Sequence, residues 1–308
     1  MNKVTIWNED CINGMYTCML PETVDLAVTS IPFEELFTYS GKVEDVGNNG
    51  STINLREGRF GLNLRFFITA LWRVMRPGSN ACIHIQQLLA YKNQHGFIGR
   101  RDFRGAVIDL FSKHEWDWKG EFVICKNPQA MAQRLNLHSL MFATGKRNGR
   151  ELAPAPNDYV LIFQKPGISA PARCLRDAEE NPSGWVSTDE WIRDAHGIWT
   201  DIDEFDVLDG ARSSKGKSAL KEEQHEKHVC PLQLEVIRRL VKLYSAPGEM
   251  VYDPFLGIGS TAVVAVEQGR DACGHELKES YYRRAQAEVS CEQGRKEDRE
   301  RTLFDGLS

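Results

Sequence analysis

Residues Met250 to Thr261 read Met-Val-Tyr-Asp-Pro-Phe-Leu-Gly-Ile-Gly-Ser-Thr, a short apolar run broken by Asp253-Pro254 and two spaced glycines before a helical pattern resumes. This is a strand, a tight turn and a helix N-terminus. Gly257 and Gly259 suit the turn because a Cβ would obstruct it and would keep a ligand off its backbone, while the helix start presents unpaired N–H groups to an anion. Such a unit belongs to an open, mostly parallel α/β sheet that binds its ligand beyond the strand C-termini.

Two ligands suit this turn. Gly257-Ile258-Gly259-Ser260-Thr261-Ala262 matches the G-x-G-x-x-A dinucleotide pattern, and Glu276 closes the next apolar stretch, Ala272-Cys273-Gly274-His275, where an acid can hold ribose hydroxyls. Asp253 separates the candidates, because a pyrophosphate gains nothing from an adjacent carboxylate whereas a cationic ligand does. S-adenosylmethionine carries an ammonium, a carboxylate and a ribose, which assigns Asp253 to the ammonium, the turn amides to the carboxylate and Glu276 to the ribose. A nicotinamide-dependent oxidoreductase is the alternative.

The segment from His228-Val229-Cys230-Pro231-Leu232-Gln233-Leu234-Glu235, through Ser245-Ala246-Pro247-Gly248, to Asp253-Pro254-Phe255-Leu256-Gly257-Ile258-Gly259-Ser260-Thr261 resembles the cofactor half of beta-class amino DNA methyltransferases. In that class the catalytic motif precedes the cofactor motif. Accordingly, Val24-Asp25-Leu26-Ala27-Val28-Thr29 is a strand pattern leading into Ser30-Ile31-Pro32-Phe33, which resembles the family's (Ser/Asn/Asp)-Pro-Pro-aromatic signature with Ile31 in place of the first proline. The resemblance runs from Val4 to about Ala285 and is weakest between residues 168 and 227.

It implies a doubly wound, mostly parallel, Rossmann-like methyltransferase sheet with an inserted recognition region, S-adenosylmethionine as cofactor and double-stranded DNA as substrate. The carried-over cofactor residues are Asp10, His228, Asp253, Pro254, Phe255, Gly257, Gly259, Ser260, Thr261 and Glu276. Asp10 lies where the family places an acid near the adenine, and it reads equally as a helix N-cap. The catalytic residues are Ser30, Ile31, Pro32 and Phe33. An exocyclic amine has its lone pair delocalised into the base, so Ser30 Oγ and the Ile31 carbonyl accept its hydrogens while Phe33 stacks on the flipped base. Loss of proline at Ile31 costs the loop about 0.4–1 kcal/mol of ordering. A motif led by Ser favours cytosine N4 over adenine N6. An RNA methyltransferase, and a non-catalytic DNA-binding protein on the same fold, are the other readings.

The chain divides into a catalytic half (1–167), an insertion that is the candidate target-recognition region (168–227), a cofactor half (228–290) and a charged tail (291–308). With 308 residues and 42% hydrophobic side chains it can bury one large core and a small accessory region. A net charge of −5 means that DNA binding must rest on a local basic face. From Lys126 to Arg150 there is no Asp or Glu, whereas Lys126, Arg134, Lys146, Arg147 and Arg150 supply positive charge. Lys215 and Lys217, with Arg212, are further phosphate candidates in the insertion, which otherwise shows little strand or helix signal. Residues 291–308 read as loose, and Glu300-Arg301-Thr302-Leu303-Phe304 resembles a peptide that docks on bacterial sliding clamps, with folding back onto the main domain as its rival. A homodimer is open.

Eight cysteines without a C-x-x-C pair argue against a zinc ribbon or a disulfide framework, so no metal is expected. There is no signal peptide and no apolar run near the roughly 20 residues of a membrane span, which places the protein in a reducing cytoplasm without a membrane partner. Residues Ile68 to Met75 read as a helix stopped by Arg76-Pro77-Gly78, and His84 reads as a packed residue of the strand Ala81-Cys82-Ile83-His84-Ile85.

Overall fold

The computed structural model describes residues 2–32, 62–135, 137–168, 186–208 and 232–305. The expectations placed on Phe33, Arg212, Lys215, Lys217 and His228 lie outside the described residues.

The strands are β1 (Val4–Trp7), β2 (Val24–Ser30), β3 (Met75–Gln86), β4 (Leu88–Ala90), β5 (Gly99–Arg101), β6 (Asp117–Ile124), β7 (Asp158–Gln164), β8 (Ile198–Trp199), β9 (Met250–Asp253) and β10 (Asp271–His275). Strands β4 and β5 form a separate hairpin, and the others make one sheet in the order β1-β10-β9-β2-β3-β7-β6-β8. Strand β7 runs antiparallel to both neighbours, while β1, β10, β9, β2 and β3 are parallel, as are β6 and β8. The winding reverses between β2 and β9. From β2 the chain steps to β3 on one side, and from β9 it steps to β10 on the other, so the crevice beyond β2 and β9 is the topological switch point.

Burial on both faces explains the apolar strand composition. Ala27, Ile83, Leu161, Phe163, Tyr252 and Cys273 enter one core with the helix Leu62–Val74. Their neighbours Leu26, Val28, Cys82, Val160, Ile162, Val251 and Ala272 enter the other, against the helices Leu234–Tyr244 and Ser260–Glu267. The alternation follows from the two-residue period of the strand. In the helix Leu234–Tyr244 the apolar residues Leu234, Ile237, Leu240 and Val241 line the buried stripe at helical spacing. Residues Ser260 to Val266 are buried on every side, and after the two hydroxyls of Ser260 and Thr261 the stretch Ala262 to Val266 is apolar all round.

Three expectations are corrected. The Arg76-Pro77-Gly78 stop does not separate helix from strand, because β3 begins at Met75 and bulges: Val24 pairs with Met75 but Leu26 pairs with Asn80. The insertion is partly regular, with a helix Thr188–Asp194 started by a Ser187–Glu190 capping box and with β8 paired to β6. Residues Glu279 to Asp305 form one helix, so residues 291–305 are not loose. Its charged sequence concealed anchors: Glu292, 2% exposed, pairs with Arg295 and Arg299, and Lys296 donates to Asn2 Oδ1 at 2.6 Å. Among the described residues no helix is long and apolar enough to cross a membrane.

Candidate active site

Parallel pairing of Leu26 with Val251 and of Ala27 with Tyr252 brings the ends of β2 and β9 side by side. The two motifs, far apart in the chain, are then joined by hydrogen bonds. Thr29 Oγ1 donates to Asp253 Oδ1 at 2.6 Å, Thr261 Oγ1 donates to Asp253 Oδ2 at 2.6 Å, and the Phe255 amide donates to Oδ1 at 3.0 Å. Asp253 is therefore the knot between the catalytic strand, the Asp253-Pro254-Phe255 turn and the helix that follows. It is 5% exposed, and burial outweighs the Thr261, Thr29 and Phe255 donors, pushing its carboxyl up to about 6. Hydroxyls and one amide do not offset the burial of a charge, and a cation would.

The glycines fill conformations that a side chain resists. Gly257 has φ 58° and Gly259 φ 99°, and a Cβ on Gly259 would stand 3.1 Å from Ala285 Cα. Gly259 caps the helix Ser260–Glu267 in the left-handed conformation. Glu276, at the end of β10, accepts from the Gly257 amide at 2.8 Å and from the Lys278 amide at 2.8 Å. The Gly257 N–H assigned to a ligand carboxylate is thus engaged within the chain, and Glu276 holds the turn in shape.

Asp10 caps the helix Cys11–Thr17, accepting from the Asn13 amide at 2.8 Å, as the capping alternative expects. It also converges with the other acids. The buried Cys11 thiol is pushed well up, first by burial and then by the charges of Asp10, Glu276 and Asp253. Acids from β9, from the end of β10 and from the loop after β1 therefore surround one place. That donor set suits a ligand bearing positive charge and hydroxyls, which is the chemistry of S-adenosylmethionine.

On the catalytic side Ser30 is half-buried and Ile31 is 1% exposed, packed into the core with the Leu62–Val74 helix. Burying Ile31 is worth roughly 1.5–3 kcal/mol, more than the ordering lost with the proline. Phe255 packs on Phe67 at 5.1 Å between ring centroids, fixing the cofactor turn to the same helix.

Sequence reasoning passed over Thr29, His84 and Asp158 as functional residues, and it placed Lys126 wrongly. Ser30 Oγ lies 2.9 Å from His84 Nδ1, His84 Nε2 lies 3.2 Å from Asp158 Oδ2, and Lys126 Nζ lies 2.7 Å from the same oxygen. Lys126 is buried against Asp158 and leaves the surface basic face. The available signal was the polar His84 inside an apolar strand, since a buried polar side chain needs partners.

The basic segment sits on the same rim. It leaves from the C-terminal end of β6 and returns to the start of the reversed β7, and both lie at the end of the sheet that carries Ser30. Lys146, Arg147 and Arg150 are exposed; Lys146 covers the exposed Phe142 ring at 5.0 Å, and Arg147 pairs with Glu151 at 2.6 Å. Arg134 ends the helix Pro128–Arg134, and its side chain lies outside the described residues. Between this segment and the β4–β5 hairpin is a cavity of about 600 Å³ whose walls include Tyr91, Ile98, Arg100, His138 and Leu140. Another, of about 430 Å³, lies at the opposite end of the strands beside Asp25, Arg76 and Glu249.

Comparison with known proteins agrees with this arrangement. A family model described as DNA methylase, for N6 and N4 methyltransferases, matches residues 24–287. The type II methyltransferase M.MthZI of Methanothermobacter thermautotrophicus is 30% identical over 129 residues, 41% of this chain and 32% of that protein. M.MjaI of Methanocaldococcus jannaschii is 26% identical over 212 residues, 68% of this chain and 61% of that protein. The chain thus spans less than two thirds of the length of these relatives. In fold it is similar to a DNA modification methylase of Thermus thermophilus complexed with S-adenosyl-L-methionine, with TM-score 0.64 at 20% identity over 95% of this chain and 96% of that one. Because the family match takes in both the Ser30 strand and the glycine turn, the chain belongs to the N6/N4 family of DNA methylases, which are S-adenosylmethionine-dependent amino-methyltransferases.

Proposed function

We propose that this chain transfers a methyl group from S-adenosylmethionine to the exocyclic amine of a base flipped out of double-stranded DNA, cytosine N4 in preference to adenine N6, in the cytoplasm. The observation that carries the reading is the Thr29–Asp253 hydrogen bond, which ties the end of the Ser30 strand to the start of the cofactor turn and so supports one shared site for methyl donor and acceptor. Alignment of methyl and amine is the main contribution such a site makes.

In this reading Asp253, Asp10 and Glu276 set the charge that receives the cofactor, and the cofactor supplies an electrophilic methyl group. Ser30 Oγ and the Ile31 carbonyl accept the hydrogens of the target amine. Lys146, Arg147 and Arg150 meet phosphates on the rim beside it. The serine that opens the motif favours cytosine. Two partner expectations belong to the same reading: a second copy of the chain, and a sliding-clamp-like protein at residues 300–304, whose side chains lie outside the described residues.

Incubating the protein with labelled S-adenosylmethionine and duplex DNA, then separating nucleosides by mass spectrometry, tests it. N4-methylcytosine is the expected product. N6-methyladenine would overturn the base preference alone, methylation of RNA in place of DNA would overturn the substrate class, and a folded protein that binds DNA without methylating it would overturn catalysis.

A further inference from the structure

The polar path that begins at Ser30 continues through the sheet. From Ser30 on β2 it passes to His84 on β3 and to Asp158 on β7, where Lys126 Nζ at 2.7 Å and Gln86 Nε2 at 2.9 Å close it. His84 is 3% exposed and Asp158 7%. We propose that His84, oriented by Asp158, receives through Ser30 Oγ the proton that the target amine sheds on methylation. This deepens the methyltransferase reading and rests on it.

Hydrogen-bond bookkeeping fixes the direction of the path. Burial would raise Asp158, but the His84 ring 3.2 Å away and the Lys126 charge outweigh it and hold the carboxyl at about 2. Asp158 is then an acceptor only, so His84 Nε2 carries a proton and, in the neutral ring, Nδ1 is bare. Nδ1 accepts the Ser30 hydroxyl proton, and the Ser30 lone pairs turn towards the crevice. The described groups against His84 include Ser30 from β2 and Asp158 from β7, with Lys126, from the segment after β6, on the same Asp158 oxygen. The ring nitrogens are used in the opposite sense to a hydrolytic Ser-His-Asp triad, where the carboxylate holds Nδ1.

The proton transfer balances. The amine lone pair forms the bond to the methyl carbon, and the carbon–sulfur pair departs with sulfur, leaving positive charge on the amine nitrogen. That nitrogen gives a proton to Ser30 Oγ as the Ser30 hydroxyl proton moves to His84 Nδ1. The results are a neutral methylated amine, an intact Ser30 hydroxyl and an imidazolium beside Asp158, which then returns its proton to water. When His84 is already protonated, Nδ1–H donates to Ser30 Oγ and turns the hydroxyl hydrogen against the incoming amine.

His84→Asn tests this role, because its amide oxygen can still accept from Ser30 but holds no transferable proton. We expect a folded variant with unchanged S-adenosylmethionine affinity, kcat lowered about 100-fold, and no acid limb in kcat against pH where the native enzyme has one. An acid limb of unchanged shape would overturn the relay and leave His84 a packing residue. Should that variant not fold, nitrogen–proton correlation of the native imidazole decides: a protonated Nε2 with a bare Nδ1 that shifts in Ser30→Ala supports the path, and a proton on Nδ1 of the neutral ring overturns it. That measurement needs no turnover. The expected tautomer in a protein that methylates no substrate would sink the functional reading and the relay with it, whereas activity with an unaltered His84→Asn profile would sink the relay alone.

Discussion

Asp253 is asked to be buried and to be charged. Its carboxyl, pushed up to about 6 by burial against three hydrogen bonds, is part-protonated just below neutrality until a cation joins it. Binding of a cationic ligand should therefore strengthen with pH through about 6 and level off above it. Between pH 5 and pH 7 the affinity for S-adenosylmethionine is expected to rise about tenfold, with a proton released on binding at the lower pH. Calorimetry in buffers of different ionisation enthalpy reads both, and an affinity flat across that range would remove Asp253 from the cationic site. Asp253→Ala should abolish binding outright, since it also leaves Thr29 and Thr261 without their acceptor. Ser30→Ala belongs to the other half of the chemistry. It should leave cofactor affinity unchanged and lower kcat, because only the acceptor for the target amine is lost; an equal loss of cofactor affinity would mean that Ser30 shapes the cofactor crevice instead.

Elements carry the next set of interactions. The 186–208 segment is fastened to the body by Arg239, 3% exposed, which reaches Asp194 at 3.3 Å and Asp201 at 2.6 Å while lying 5.3 Å from the centre of the Trp199 ring. Arg239→Met leaves Asp194 with Arg193 alone, so the lower end of the roughly 3–5 kcal/mol for breaking a buried pair is expected, read as a lowered urea midpoint. Unchanged stability would show that stacking of Trp199 on Phe122 suffices. On the basic rim, neutralising Lys146, Arg147 and Arg150 together should weaken DNA binding alike on all sequences and flatten its salt dependence. The loss should be roughly 2 in the logarithmic slope rather than 3, because Arg147 already pairs with Glu151; an unchanged slope would move the DNA face elsewhere. Legibility in the sequence follows the range of the interactions. The β9 strand, its glycine turn and the β2 strand were readable because apolar runs and glycines act within a few residues. Long-range polar pairs leave no local trace. Lys126 looked like surface charge because Asp158, its buried partner, lies thirty-two positions away. Arg239 and the continuation of the last helix beyond residue 291 were hidden for the same reason, and the bulge at Arg76-Pro77-Gly78 imitated a stop because proline and glycine serve both.

Across the whole molecule, two buried groups of the cofactor half, His275 and Asp253, oppose each other in how acid acts on the fold. His275, on β10, is buried between Trp7, stacked at 4.7 Å, and the Tyr252 hydroxyl at 2.9 Å, and burial lowers it to about 4 despite the charge of Glu9. Its folded pKa lies below the unfolded one, so the unfolded chain takes up the proton first. Stability is present above about 6.5 and is lost as the pH falls towards 4, by roughly 3 kcal/mol. Asp253 is raised from its unfolded value to about 6, so it contributes in the opposite sense. Its contribution is full below the unfolded pKa of about 3.9 and is lost as pH rises through 6, again by roughly 3 kcal/mol. Glu249, raised mainly by burial, pushes in the same direction as Asp253. In the same window, then, acid weakens the fold through His275 and strengthens it through Asp253. The free protein should show little net change in unfolding free energy between pH 4 and 6. Asp253→Asn should unmask the His275 slope, with stability falling on acidification, and His275→Gln should unmask the reverse. A cation bound against Asp253 lowers its pKa and acts like the Asp253→Asn variant, so protein saturated with S-adenosylmethionine should become acid-sensitive where the free protein is not. Urea unfolding followed by circular dichroism from pH 4 to pH 7 measures all four curves, and parallel curves for the two variants would overturn the opposition.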